Sequence, residues 1–169
     1  MGASSRWQEP TARLPLRWGS YRGRYAGAIA LILAGALVLQ AGSVYADYLI
    51  VLGAGAHIAG WLIMPSRGAF RAAVAVPSGL FVGALLLGSV AAVLLVGPLA
   101  FWLLLRQRPG ASYLAILLPV TSGLVLAQLY PQYGDGAIVV GVSLVVIVGS
   151  AWIARWIARW IAVSIALGR

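Results

Sequence analysis

The chain has 169 residues and a formal charge of +9, from twelve basic side chains, every one an Arg, against three acids. Hydrophobic residues make up 62%, charged ones 9%, and the mean hydropathy is +0.97; a soluble domain carries about 25% charged residues, so this composition excludes a water-soluble globule and predicts an integral membrane protein. No Cys is present, and Glu9, Asp47, Asp135 and His57 are the whole stock of acids and imidazole, which removes disulfides, thiolate nucleophiles, Cys zinc sites and Fe–S clusters and leaves little for acid–base work.

Residues 1–24 carry five Arg (Arg6, Arg13, Arg17, Arg22 and Arg24) together with Trp7, Trp18, Pro10 and Pro15. They read as an irregular, Arg-rich cytoplasmic tail on the membrane surface. The later Arg residues punctuate apolar runs and form no face on a soluble fold. The expected partner of this charge is therefore a bilayer with anionic headgroups on its cytoplasmic side, and no nucleic acid.

The first apolar run covers 25–46. Val44-Tyr45-Ala46 before Asp47 resembles a secretory cleavage site, but the run is longer than a signal core of about 7–15 residues. It reads as an uncleaved first helix. A second run, 48–64, begins after Asp47 and holds His57 near its middle. Runs at 113–130 and 136–154 flank Pro131-Gln132-Tyr133-Gly134-Asp135 in the same way. Each of these four runs has the length that spans about 30 Å of hydrocarbon as a helix, the shortest only just.

The middle run, 72–105, has 34 residues without a charge, about 51 Å as one helix. It forms either one long kinked helix or two short ones turning at Gly88-Ser89. With two crossings all twelve Arg fall on one side and Asp47 and Asp135 on the other, which the positive-inside rule favours. An internal repeat agrees. A shift of 88 residues places Tyr25, Gly35, Gln40, Tyr45, Asp47, Ile50, Val51 and Gly53 on identical residues, and a shift of 44 adds Gly79 and Gly97.

The expected fold is an all-α integral membrane protein, a compact bundle of six transmembrane helices built as three parallel hairpin repeats of about 44 residues. The alternative is five transmembrane helices, with 72–105 as one long kinked helix. Residues 25–154 form the bundle, and 155–169 form an Arg- and Trp-rich interfacial C-terminal helix lying along the inner leaflet.

His57 is the intramembrane ionisable group, either a proton carrier or a neutral imidazole bonded to a neighbouring helix. Gln40 and Gln128 are equivalent under the repeat and are read as interhelical glue, with a shared polar pocket as the other reading. Tyr45, Asp47, Tyr133 and Asp135 mark the outer loops, where Tyr suits the headgroup zone and Asp suits a turn. Two oxygen ligands are too few for a metal. Gly53, Ala54, Gly55, Ala56 and Gly60 offer a small-residue face, as do Gly83 with Gly88 and Gly141 with Ser143. Trp152, Arg155, Trp156, Arg159 and Trp160 recur every four residues and are candidates for partner docking or headgroup contact.

No catalytic, cofactor or metal site is expected, because no paired carboxylates, His-x-x-x-His, Gly-x-Ser-x-Gly or phosphate loop is present. The expected function is that of an accessory or assembly subunit of a larger membrane complex in a bacterial inner or plasma membrane, associating with other subunits or with itself. The alternative is a small-solute transporter or channel with a polar path near Gln40, His57 and Gln128, lined further by Thr121, Ser122, Ser143 and Ser150.

Overall fold

The computed structural model describes residues 11, 19–43, 45–131 and 136–166, and every regular element among them is helical. Six rods follow one another: α1 (Tyr21–Gln40), α2 (Asp47–Ile63), α3 (Gly68–Leu87), α4 (Ser89–Leu105), α5 (Gly110–Leu129) and α6 (Gly136–Ala166). Four of them, α1, α3, α5 and α6, are long and apolar enough to cross a membrane, while α2 and α4 are shorter apolar helices.

Local chemistry sets the ends. Ser20 caps α1, its Oγ accepting from the Gly23 N–H at 3.1 Å and satisfying one of the orphan donors of the first turn. Arg22 and Arg24 therefore belong to α1, where charge alone had assigned them to a tail ending at residue 24. At the far end α1 stops at Gln40, short of the apolar run, as the chain turns through Gly42 and Ser43.

The run 72–105 is broken at Gly88, which adopts φ 126° and ψ 174°, a region open to Gly alone. The single kinked helix considered for this run is not formed. Instead α3 and α4 fold back on each other, with the Phe81 and Phe101 ring centroids 5.9 Å apart.

The first seven residues of α4 and of α5 wind as 3-10 helix, and the α-helical segment that follows has proline as its third residue, Pro98 and Pro119. In an α-helix a proline ring clashes with the carbonyl four residues back. Tighter winding ahead of each proline relieves that clash at Leu94 and Ala115.

Without a hydrophobic drive between helices in lipid, close backbone approach holds a bundle together, and α1 and α2 show it. A Cβ on Gly35 would lie 2.7 Å from the Gly53 carbonyl oxygen, and one on Gly60 would lie 2.8 Å from the Ala28 carbonyl oxygen. Gly123 brings α5 equally close to the Val93 backbone of α4. The other small faces carry no such contact: Gly55, Gly83, Gly88 and Gly141 meet nothing within 4 Å.

Rod α4 is central, packing on α3, α5 and α6. One buried cluster joins Ala28 and Ile32 of α1 to Trp61 of α2, Val74 and Ala75 of α3 and Leu105 of α4. Two smaller clusters, Ala92–Leu126–Val139 and Leu103–Ala115–Ala154, join α4, α5 and α6 at opposite ends of the bundle.

Cross-rod contacts gather the cations at one end. Arg24 Nε and Nη2 donate to the Ile63 carbonyl at 3.2 and 3.0 Å, a cation placed on the unsatisfied C-terminus of α2. Arg106 Nη1 donates to Thr11 Oγ1 at 3.0 Å and to the Tyr21 hydroxyl, with its guanidinium carbon 4.5 Å from the Tyr25 ring centroid. Ser112 Oγ donates to the Ala154 carbonyl at 3.0 Å, which draws Arg155 to the same end. Asp47, the one acid among the described residues, opens α2 at the opposite end.

Rod α6 runs unbroken across 154/155 to Ala166, so residues 155–166 continue the preceding helix.

Candidate functional site

The densest polar cluster centres on His57, which is 1% exposed and lies where α1, α2 and α3 meet. Its Nδ1 is 2.9 Å from the Ile32 carbonyl oxygen of α1, and its Nε2 is 2.9 Å from Ser78 Oγ of α3 and 3.1 Å from Trp61 Nε1, one turn along α2. A carbonyl only accepts and an indole N–H only donates. Hence Nδ1 carries the proton, Nε2 presents its lone pair, and the ring is the neutral Nδ1–H tautomer. Both nitrogens are engaged within the fold, and the three helices are tied through one side chain.

The i, i+4 spacing puts Trp61 on the face of His57, whereas Ser78 is 21 residues away in sequence. The available signal was that Ser78 is a lone hydroxyl within the uncharged stretch 72–88, and buried polar groups need partners.

Gln40 ends α1 and donates from Nε2 to the Val82 carbonyl of α3 at 2.7 Å. Gln128, its match under the 88-residue shift, is exposed near the end of α5 and lines neither of the two cavities described below. Neither of these cavities brings Gln40 and Gln128 together. Two of the other polar candidates, Thr121 and Ser150, turn to their own helices. Thr121 Oγ1 donates to the carbonyls of Leu117 and Leu118 on the exposed side of α5, and Ser150 Oγ donates to the Val146 carbonyl at 2.7 Å.

A cleft of about 390 Å³ lies between α1 and α6, with Leu95, Pro98, Leu99 and Trp102 of α4 as its floor. Its lining is overwhelmingly apolar; Gln40, Ser143 and an edge of His57 reach it, and Arg155 stands at one end. A second cavity of about 580 Å³ adjoins it at the opposite end, sharing Gln40, Leu85 and Val140 and bounded by Gly42, Gly88 and Gly136. No family model, curated protein or solved structure matches the chain.

The site is poor in reactive groups. Among the described residues no set of three His, Asp or Glu side chains gathers to hold a metal. Asp47 sits exposed in the first turn of α2, where a carboxylate complements the helix dipole. Tyr45, 95% exposed, precedes it. Tyr133 and Asp135 lie outside the described residues.

Along α6, Ala154 and Ala158 are buried against the bundle, while Trp152, Trp156 and Trp160 are 69%, 67% and 64% exposed and Arg155 and Arg159 are exposed beside them. Successive residues turn by about 100°, so Trp152 borders the cleft and Trp156 and Trp160 face away from both cleft and bundle.

Proposed function

We propose that the protein is a non-catalytic, six-span accessory or assembly subunit of a membrane complex, docked to its partner through the Trp156–Trp160 face of α6. The single observation carrying this reading is the exposure of two large indoles, Trp156 and Trp160, on one outward face of the longest helix. Rod α6 has 31 residues, about 46 Å, against about 30 Å of hydrocarbon. Its last turns stand at or beyond the headgroup level, where Trp and Arg anchor to lipid or to another subunit.

The six-span topology draws support from the pairing of the rods. Gly35 with Gly53, Phe81 with Gly97 and Ser112 with Ala154 form hairpins centred near residues 44, 89 and 133, about one 44-residue unit apart. The Arg-bearing end then faces the cytoplasm of a plasma membrane, bacterial in this reading, and Asp47 faces outwards. Transport of a hydrophilic solute is the weaker reading, because His57 and Gln40 are hydrogen-bonded within the bundle and Gln128 is remote from them.

Isolation of the tagged chain from its native membrane in mild detergent tests the proposal. A stoichiometric integral membrane partner is expected, lost in the Trp156→Ala/Trp160→Ala double variant at unchanged melting temperature. Retention of that partner by the double variant, or no partner above a tagged control, refutes the docking role.

A further inference from the structure

We propose that the cleft between α1 and α6 holds one acyl chain of an anionic phospholipid, with the lipid phosphate at Arg155. This site is distinct from the Trp156–Trp160 face, and the inference does not depend on a partner protein.

Size selects a narrow occupant. On α1 the lining runs from Tyr25 to Gln40, and on α6 from Val140 to Arg155, about 22 Å along the helix axes in each case. The volume of about 390 Å³ is far below the roughly 1,700 Å³ that a partner helix of that length and about 10 Å diameter displaces. Pockets of about 300–1,000 Å³ are the range in which small ligands are held.

Lining selects a hydrocarbon. Ile29, Leu33 and Leu37 form one wall, and Leu144, Ile147 and Val148 the other. Of the polar groups that reach the cleft, Gln40 is committed to the Val82 carbonyl and His57 to Ile32, Ser78 and Trp61. A hydrophilic solute finds few groups there to replace its water.

Charge selects the headgroup. The end closed by Arg155 and Trp102 is the end where the described Arg residues gather. Arg106 and Arg108 stand over the Trp102 ring with guanidinium carbons 5.9 and 5.6 Å from its centroid. The one described acid, Asp47, is at the other end of the bundle. A lipid tail gains no hydrophobic energy on moving from bilayer to apolar slot, so preference among lipids comes from net headgroup charge at the mouth: every phospholipid offers Arg155 a phosphate, but in phosphatidylcholine the choline cation offsets it and in an anionic lipid nothing does. The acyl chain then passes Leu33 and Ile147 near mid-cleft.

The test uses the full chain in phosphatidylcholine nanodiscs doped with a trace of phosphatidylglycerol or phosphatidylcholine, each carrying the same diazirine-tagged acyl chain. Photo-crosslinks are mapped by mass spectrometry. Label is expected at Leu33, Ala36, Leu144 and Ile147, with phosphatidylglycerol ahead by about fivefold, the factor to which about 1 kcal/mol per Arg at an anionic surface corresponds. Arg155→Gln, at an exposed side chain, should bring the two lipids level while cleft labelling by phosphatidylcholine persists. Ala36→Phe and Ala151→Phe, which fill the cleft from opposite walls, should each suppress labelling by both lipids. Equal labelling of the wild type by the two lipids overturns the inference. So does an unchanged lipid ratio in folded Arg155→Gln, or label confined to outward residues such as Leu124 and Val145. Should both Phe variants misfold, the Arg155→Gln ratio decides alone.

Discussion

Replacing His57 by Leu removes three hydrogen bonds at the junction of α1, α2 and α3 while keeping most of the side-chain volume. In lipid an interhelical bond is worth about 0.6 kcal/mol on average and up to about 1.7 kcal/mol; with the two to Ile32 and Ser78 and a similar worth for the bond to Trp61 within α2, the three amount to about 2 kcal/mol. The consequences for the partners differ. The Ile32 carbonyl remains within the α1 ladder, and the Ser78 hydroxyl is free to turn back onto its own helix. The Trp61 N–H, on a side chain 1% exposed, has no such recourse and accounts for most of the loss. His57→Ala adds a cavity and should cost about 2 kcal/mol more. His57→Gln, with an amide donor for Ile32 and an oxygen for Trp61, should recover to within about 1 kcal/mol of the wild type. Unfolding by SDS titration from mixed micelles, followed by far-UV circular dichroism, measures all three. A His57→Leu variant as stable as the wild type, or His57→Gln no better than His57→Leu, would show that the bonds at His57 do not hold the helices together.

In the same titration Gly53→Ala should destabilise by about 1–3 kcal/mol, as overpacking does, since its Cβ would meet the Gly35 carbonyl at 2.7 Å; Gly55→Ala, with nothing within 4 Å, should be neutral or stabilising by up to about 1 kcal/mol. A loss at both positions would mean that helix geometry, not the α1–α2 contact, is being probed. Gln107 ends α4 at φ 52° while the N–H groups of Gln107 and Arg108 bond the carbonyls of Leu104 and Leu103. This is the glycine-favouring helix stop, so Gln107→Gly should stabilise by about 1 kcal/mol, and any destabilisation contradicts that account. Single Cys residues at Ser66 and Gln107 should resist an impermeant maleimide applied to intact cells while one at Tyr45 reacts; labelling at Gln107 would rule out the six-span topology.

The parts of this fold that were legible in the sequence are those written in charge and in glycine. Arg67 with Arg71 and Arg106 with Arg108 mark the two connections at the Arg-bearing end, because an ionised guanidinium is costly within hydrocarbon, and Gly88 interrupts a stretch that hydropathy alone leaves continuous. Boundaries fixed by single hydrogen bonds were not legible: the Ser20 cap moves the start of α1 back to Tyr21 and carries Arg24 into a buried position. There the guanidinium, 6% exposed, is compensated by a carbonyl 39 residues away in sequence. No local pattern encodes that pairing.

The two Gln residues show the same limit at the candidate site. Sequence equivalence under an 88-residue shift gave Gln40 and Gln128 one role, yet one bonds Val82 and the other is exposed. In water a helix announces its buried face by alternating polar and apolar stripes. In lipid both faces of α5 are apolar, so hydropathy leaves its rotation about its own axis undetermined. What sets that rotation is the smallest side chain available at a contact. Gly35 turns its side of α1 toward α2, leaving Gln40 able to reach α3. Gly123, its equivalent, is drawn instead to the Val93 backbone of α4, a partner from the neighbouring hairpin. Once the glycines choose different partners, every residue on the two helices inherits different surroundings, and an identical amide ends in a groove on one helix and at the surface on the other. Positions matched by an 88-residue shift thus need not share surroundings, and the polar chemistry between helices follows from which neighbour each glycine meets.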